Sequence, residues 1–274
     1  MCYLTLELGD AMGKVIIPKR KWRFPDPWRR EYERYILRFT GSLWEAVENS
    51  LPQMELLLES NPFRADGIFE DVYSLMRSLT INGYMKFEEA DIYNETNRIA
   101  KGISDYNLQE FKAVMRSAFR IDLFVAEPYL NDLMKLWITE NVARIKSIPD
   151  QYFKEVENIV RESVMNGSTL TTLSKALESR FKVSQDRARL IARDQTGKVN
   201  YYLTRQRQLQ VGIRRYQWLT AGDERVRDLH EARANKLFRW DNPPEGGHPG
   251  QAVQCRCIAQ PVVDLDKVSF MGAM

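Results

Sequence analysis

The chain has 274 residues, of which 44% are hydrophobic and 28% are charged. This balance is typical of a globular protein and excludes wholesale disorder or a fibrous chain. No window approaches the roughly 18 consecutive apolar residues that a membrane helix needs, and the start lacks a basic segment followed by an apolar one. We therefore expect a cytosolic protein without a membrane anchor, folded as one large domain or two ordinary ones.

Charge is distributed unevenly along the chain. The net charge is +3, but residues 180–257 hold 16 basic and 8 acidic side chains. This local excess favours an anionic partner for the C-terminal third, although a solvated basic helix explains it equally well. The three cysteines, Cys2, Cys255 and Cys257, are too few for a disulfide framework and indicate a reducing compartment.

The N-terminal two-thirds of the sequence predicts helices. Residues 1–26 are predicted to be an extended arm, because Pro25 and Pro27 block a helix there. Apolar residues then recur at spacings of three and four, which predicts an amphipathic helix to about residue 60 with a kink at Pro52. Further helices are predicted at 65–80, 87–101, 106–120, 127–147, 151–165, 168–181 and 184–211, with breaks between them.

Beyond residue 212 the apolar periodicity shortens to two, which is typical of strands. Short strands are predicted at 213–219, 236–240 and 257–263, with helical turns within 223–233. The predicted fold class is therefore α+β, mainly helical in the N-terminal two-thirds with a small C-terminal α+β module. The predicted domain scheme is an arm at 1–26, a helical domain at 27–148, a second helical part at 149–211, the α+β module at 212–263 and a tail at 264–274.

Both histidines and two of the three cysteines fall within 28 residues. His230, His248, Cys255 and Cys257 together offer four nitrogen and sulfur donors, a set that suits one tetrahedral zinc ion. Cys255 and Cys257 face the same side of an extended backbone because they are two residues apart. Four protein ligands would make a closed structural site. The alternative is that both cysteines are small buried hydrophobic residues and that the histidines hydrogen-bond a loop.

Motifs for catalysis give little support to an enzyme. The sequence has no H-E-x-x-H, zinc-deaminase, phosphate-loop, dinucleotide-binding or nucleophile-elbow pattern. One alternative is a metal-dependent nuclease, in which clustered side chains bind a divalent ion for phosphodiester hydrolysis. The residues of that cluster are Asp223, Glu224, Asp228, His230 and Glu231.

Basic side chains follow the long predicted helix and the strand after it. Such a band can contact a nucleic-acid backbone, including double-stranded DNA, without reading its sequence. Alternatively, Asp186, Asp194 and nearby glutamates neutralise much of it in surface ion pairs. The residues of this basic band are Arg189, Arg193, Lys198, Arg205, Arg207, Arg214 and Arg215.

A series of motifs runs from Ala188 to Val263. It comprises the helical segment IARDQTGKVN, Gly212 before a strand with Trp218, the segment Asp223-Glu224-Arg225-Val226-Arg227 with His230, and a Pro/Gly loop before Cys255-Arg256-Cys257. Together these motifs resemble the phage head morphogenesis family, whose members are minor head proteins similar to protein F of phage Mu. Some members have a C-x-x-C pair where this chain has Arg227 and His230, which excludes a four-cysteine site here.

The resemblance implies a non-enzymatic minor component of the virion head, assembled into the procapsid near the portal in the host cytoplasm. Its implied partners are the portal protein, the scaffold or the major capsid protein, and packaged DNA. A plain non-specific DNA-binding packaging factor is a further alternative. The first 148 residues carry no firm motif match, but their helices are the better candidate for docking on a larger assembly.

The conspicuous residues of the α+β module also have structural explanations. Trp218 is expected to anchor a small core together with Tyr216. Arg225, Arg227 and Arg256 are expected to tie loops together through contacts with Asp223 or Asp241.

Overall fold

The computed structural model describes residues 3–6, 15–59, 67–85, 88–120, 125 and 127–264. Cys2 and all but the first residue of the predicted tail lie outside these ranges. The elements are β1 (Tyr3–Leu6), β2 (Val15–Pro18), α1 (Asp26–Glu48), α2 (Leu51–Glu59), α3 (Ile68–Met85), α4 (Glu89–Phe119), α5 (Leu130–Met165), α6 (Leu170–Gln210), β3 (Arg215–Leu219), α7 (Asp228–Glu231), β4 (Leu237–Arg239) and β5 (Ile258–Asp264). The predicted α+β class is confirmed. Within the described ranges, no helix is long and apolar enough to span a bilayer.

The five strands form one antiparallel sheet in the order β1-β2-β5-β3-β4. Strands β3, β4 and β5 begin and end within two residues of the predicted ones. Within the predicted extended arm at 1–26, β1 and β2 belong to this sheet, and these two strands were not predicted from the sequence. All four residues of β2 are buried, so its sequence shows no alternation of apolar and polar residues from which a strand could be predicted.

The chain divides into two compact units. One comprises the described parts of Met1–Arg29, Arg98–Trp137 and Arg193–Met274, and the other those of Arg30–Asn97 and Ile138–Ala192. We call them the sheet unit and the helical unit. The five-part domain scheme stays a prediction. Its main boundary, between residues 148 and 149, depends on a helix break at Pro149, and this break is absent.

Helix α5 continues through Pro149, where the sequence predicted a break. Proline inside a helix removes a backbone hydrogen bond and costs about 3 kcal/mol. Ile145, Ile148 and Tyr152 surround it and are at most 1% exposed. Packing of these side chains outweighs the local preference of the proline, since most helix stability in proteins comes from tertiary packing.

Two other predicted helix breaks, in α4 and in α6, are also absent. The residues that suggested a break there have another role in the folded chain. In α4, a Cβ atom at Gly102 would lie 2.2 Å from the Trp28 indole, so glycine is needed for close approach rather than for a turn. In α6, the Ser184 hydroxyl donates to the Arg180 carbonyl at 3.3 Å instead of capping a new helix.

A buried guanidinium connects the helices of the sheet unit. Arg207 of α6 is fully buried, and its Nε donates to Glu127 Oε1 at 2.6 Å. The other two nitrogens donate to the carbonyl and hydroxyl of Ser104 and to Asn107 Oδ1 at 2.7–2.9 Å. Asn107 in turn donates to Asn200 Oδ1. This network corrects the assignment of Arg207 to the DNA-contacting basic band, because its side chain does not reach solvent.

Replacing this guanidinium should destabilise the protein strongly. We expect R207M to lower the free energy of unfolding by about 3 kcal/mol, because it leaves the mostly buried Glu127 carboxylate without its cation. The control is R189M on the same helix, where the 40% exposed side chain pairs with Asp186 and with Glu33. Its cost should be about 1 kcal/mol or less. Urea unfolding followed by circular dichroism measures both, and equal losses would contradict the prediction.

Candidate metal centre

Three side chains of the sheet unit converge on one point. His230 Nδ1 lies 3.6 Å from Cys255 Sγ and 3.5 Å from Cys257 Sγ. The three donor atoms lie within 4.8 Å of one another, and each residue is at most 6% exposed. We call these residues the His-Cys-Cys group. In the part of the chain that the structure describes, it is the one group of three or more His, Cys, Asp or Glu side chains close enough to hold a metal ion.

Local structure places each donor. The single turn of α7 directs His230 inward, and the His230 ring meets the Trp218 indole edge-on at a centroid distance of 5.3 Å. Cys255 and Cys257 lie directly before β5, and their two sulfurs lie close together, as their spacing predicted. The Cys255 backbone N–H donates to the Ala252 carbonyl, and Gly250 N–H donates to Cys255 Sγ at 3.3 Å.

Helix α6 supports the loop that carries Cys255. A Cβ atom at Gly197 would lie 2.8 Å from the Cys255 carbonyl oxygen, so only glycine permits this approach. Asp194 Oδ1 accepts a hydrogen bond from Gln254 N–H at 3.1 Å, and Arg193 donates to the Gln254 side chain at 2.8 Å. The segment IARDQTGKVN therefore has a physical role, since it fixes the position of the first cysteine.

The pKa values of the two thiols shift in opposite directions. A hydrogen bond with Cys257 and the N–H of Gly250 lower the pKa of Cys255 to about 6, against the opposing effect of burial. The same contact with Cys255, together with burial, raises the pKa of Cys257 above its usual range. Two thiolates this close repel each other, so in the absence of a cation one thiol keeps its proton.

A cavity of about 240 Å³ adjoins the group, and all three side chains line it. The remaining lining is mainly basic. Its cationic residues are Arg193, Arg225, Arg227 and Arg256.

Of the contacts predicted for Arg225, Arg227 and Arg256, the structure contains some and not others. Arg256 donates to both carboxylate oxygens of Asp223 at 2.6–2.7 Å, which confirms that pair. Arg227 instead donates to the Val253 carbonyl at 2.7 Å, and at Arg225 it is the backbone N–H that donates to Asp223. The hydrogen bonds from Arg256 lower the pKa of Asp223.

The acidic cluster of the nuclease alternative does not assemble. Asp223, Glu224, Asp228 and Glu231 are exposed, whereas His230 is buried against the two cysteines. Among the described residues, none of these carboxylates joins His230 in a group that could hold a metal ion. Asp223 is instead paired with Arg256.

His248 does not belong to the His-Cys-Cys group, which corrects the predicted set of four ligands. Its Nδ1 is hydrogen-bonded to the Tyr216 hydroxyl at 2.8 Å, and its ring packs against Tyr201 and Trp240. Burial, with a smaller contribution from Arg205, lowers the pKa of His248 to about 4. This histidine is therefore neutral and part of an aromatic core.

That core confirms the expected role of Trp218 and Tyr216, both fully buried. Sequence reasoning missed Arg233, which is 7% exposed and lies over the Trp218 ring at 5.3 Å. Its guanidinium also donates to the Glu245 carbonyl. The only signal in the sequence was its position within one turn of His230.

The residues of the basic band differ in their exposure and in their ion pairs. Arg189 pairs with Asp186 and Lys198 pairs with Asp194, as the ion-pair alternative predicted. Arg214 is exposed, whereas the others outside the buried Arg207 are partly exposed. DNA contact through the band, without Arg207, stays a prediction.

The segment that carries the His-Cys-Cys group is similar to a known protein family. Residues 154–260 match the family described as Phage Mu protein F like protein, which confirms the resemblance seen in the motifs. The match runs from the second half of α5 to the start of β5, and thus includes all of α6 and the three donors.

The chain is also similar to an uncharacterized protein of Haemophilus influenzae, with 33% identity over 270 residues. The aligned region covers 94% of this chain and 58% of the relative, so the chain spans little more than half of that protein. The similarity includes the N-terminal part that the family match leaves out. No solved structure matches the chain.

The close approach at Gly197 makes a testable prediction. G197A should lower the free energy of unfolding by about 1–3 kcal/mol, because the added methyl group must displace the Cys255 backbone. The control is G41A in α1, where a Cβ atom meets nothing within 4 Å. It should be neutral or stabilising by up to about 1 kcal/mol. Chemical denaturation of both variants measures the difference, and a neutral G197A would refute the packing argument.

The lowered pKa of His248 predicts a loss of stability in acid. Its ordinary pKa is 6.5 and its folded value is about 4, so between these values the unfolded chain binds more protons than the folded one. The free energy of unfolding should therefore fall as the pH drops through this window, by up to about 1.4 kcal/mol per unit. H248Q should flatten this slope. Unfolding curves at several pH values test it, and parallel slopes would count against the assignment.

Proposed function

We propose that this chain is a minor head protein of a tailed phage or prophage that acts in head morphogenesis and procapsid assembly near the portal. The observation that carries the proposal is the match of residues 154–260 to the Phage Mu protein F like family. The protein would be made in the host cytoplasm and located in the procapsid and virion head.

A structural rather than a catalytic role fits the contacts of the sheet unit. The carboxylate on which a nuclease would depend, Asp223, is held by Arg256, and the buried polar side chains of α6 bind neighbouring backbone and side chains. Gln208, for example, donates to the Ala259 carbonyl of β5. These groups hold the fold together and leave the acidic cluster without a shared site.

The helical unit offers a surface for the protein partner. On α3, Tyr73, Ile81 and Tyr84 are 61%, 48% and 38% exposed, and their spacings of eight and three place them on one helix face. Leu56 of α2 is 65% exposed. Exposed aromatic and aliphatic side chains of this kind are enriched at protein interfaces. We assign this face of α3 to a contact with another head component, namely the portal, scaffold or major capsid protein.

The experiment that tests the head assignment is quantitative mass spectrometry of purified particles and of empty precursors from the producing cells. The chain should be present in both, at a copy number close to that of the portal and far below that of the major capsid protein. Absence from both would refute the assignment and favour a catalytic or transient assembly role.

The docking face can be tested in the same particles. The double variant Y73E/I81E should be lost from precursors, because two charges on an apolar contact oppose its burial. The control is L136E, which changes a 69% exposed leucine of α5 and should be incorporated normally. Both variants must first show the circular dichroism of the native chain. Normal incorporation of Y73E/I81E would reject this face while leaving the head assignment intact.

A further inference from the structure

We infer that His230, Cys255 and Cys257 bind one thiophilic divalent metal ion, with Zn²⁺ the best match, and that the fourth coordination position of this ion opens into the arginine-lined cavity. This site would hold three protein ligands, whereas the sequence suggested four. The inference does not depend on the head assignment.

The first argument for a metal ion comes from the distances between the donor atoms. In tetrahedral zinc, bonds of about 2.3 Å to sulfur and 2.05 Å to nitrogen place a nitrogen and a sulfur ligand about 3.6 Å apart. The two distances from His230 Nδ1 to the sulfur atoms are 3.5 and 3.6 Å. One N–H shared between both sulfurs makes two bent hydrogen bonds, whereas a cation at the common centre is bound by all three atoms at once.

The type of donor selects the metal. Two sulfurs and one imidazole nitrogen are ligands for Zn²⁺ and related soft ions, whereas Mg²⁺ and Ca²⁺ prefer oxygen. Two thiolates balance the charge of a divalent cation. Burial of all three residues also keeps competing water away from the protein side of the ion.

The surroundings of the His-Cys-Cys group indicate where the fourth coordination position of the ion lies. Among the described His, Cys, Asp and Glu side chains, no fourth donor lies with these three, and His248 is occupied by Tyr216. The three ligands all line the cavity of about 240 Å³. Since a water molecule occupies about 30 Å³, this space admits water or a small anion. Arg193, Arg225 and Arg227 on its wall favour an anion such as phosphate, whereas the charge of Arg256 is balanced by Asp223.

Metal content of the full-length chain is the first test. After loading with Zn²⁺ and removal of excess, elemental mass spectrometry should find about one zinc ion per chain. H230N, C255S and C257S should each weaken zinc affinity at least about 100-fold in competition with a chromophoric chelator. The controls are C2S, which changes the third cysteine, and H248N, which changes the other histidine. Both should retain zinc.

Cobalt substitution tests the native chain without any variant. Co²⁺ in this site should give the intense visible bands of tetrahedral cobalt and thiolate-to-cobalt charge-transfer bands in the near ultraviolet. Azide or inorganic phosphate should shift the visible bands, because either can enter an open fourth position.

Three results would overturn the inference. No bound zinc together with no thiolate–cobalt bands would reject the metal site. Loss of zinc by a folded H248N variant as severe as that by H230N would support the closed four-ligand site instead. Visible bands that neither azide nor phosphate shifts would reject the open position.

Discussion

The fully buried guanidinium of Arg207 is the interaction on which the sheet unit depends. A charge without solvent is tolerated only when its hydrogen bonds are satisfied, and here Glu127, Ser104 and Asn107 satisfy them. Because these partners come from α4 and from the segment before α5, the network fixes both against α6. Around Arg207 the polar side chains of α6 therefore form an internal network rather than a surface.

Helix α6 then positions the site through its backbone as much as through its side chains. Gly197 admits the Cys255 carbonyl to within contact of the helix, and Asp194 binds the backbone one residue earlier in the chain. The sulfur of Cys255 receives the Gly250 N–H from the other side. The first cysteine is thus held by contacts with rigid elements, which is what a preorganised ligand requires.

Local sequence signals predicted those features that local interactions determine. The strand around Trp218 was predicted correctly because its alternation of residues is visible in the sequence. The breaks predicted at Pro149 and Gly102 were wrong because buried neighbours from elsewhere in the fold decide those positions. The N-terminal strands were missed for a related reason, since β2 is buried on both faces and pairs with a strand from the opposite end of the chain.

The same distinction explains the site. The pairing of Cys255 with Cys257 depends only on their spacing, and it was predicted. The positions of the two histidines depend on contacts between segments far apart in the sequence, and grouping His248 with the cysteines was wrong. His248 is drawn into an aromatic core by Tyr201 from α6 and Tyr216 from β3, whereas α7 turns His230 toward the sulfurs. A ligand that binds only the folded chain stabilises it by RT ln(1 + L/Kd), where L is the free ligand concentration. Because the three donors come from α7 and from the residues preceding β5, an ion held by them would join two separate segments of the sheet unit.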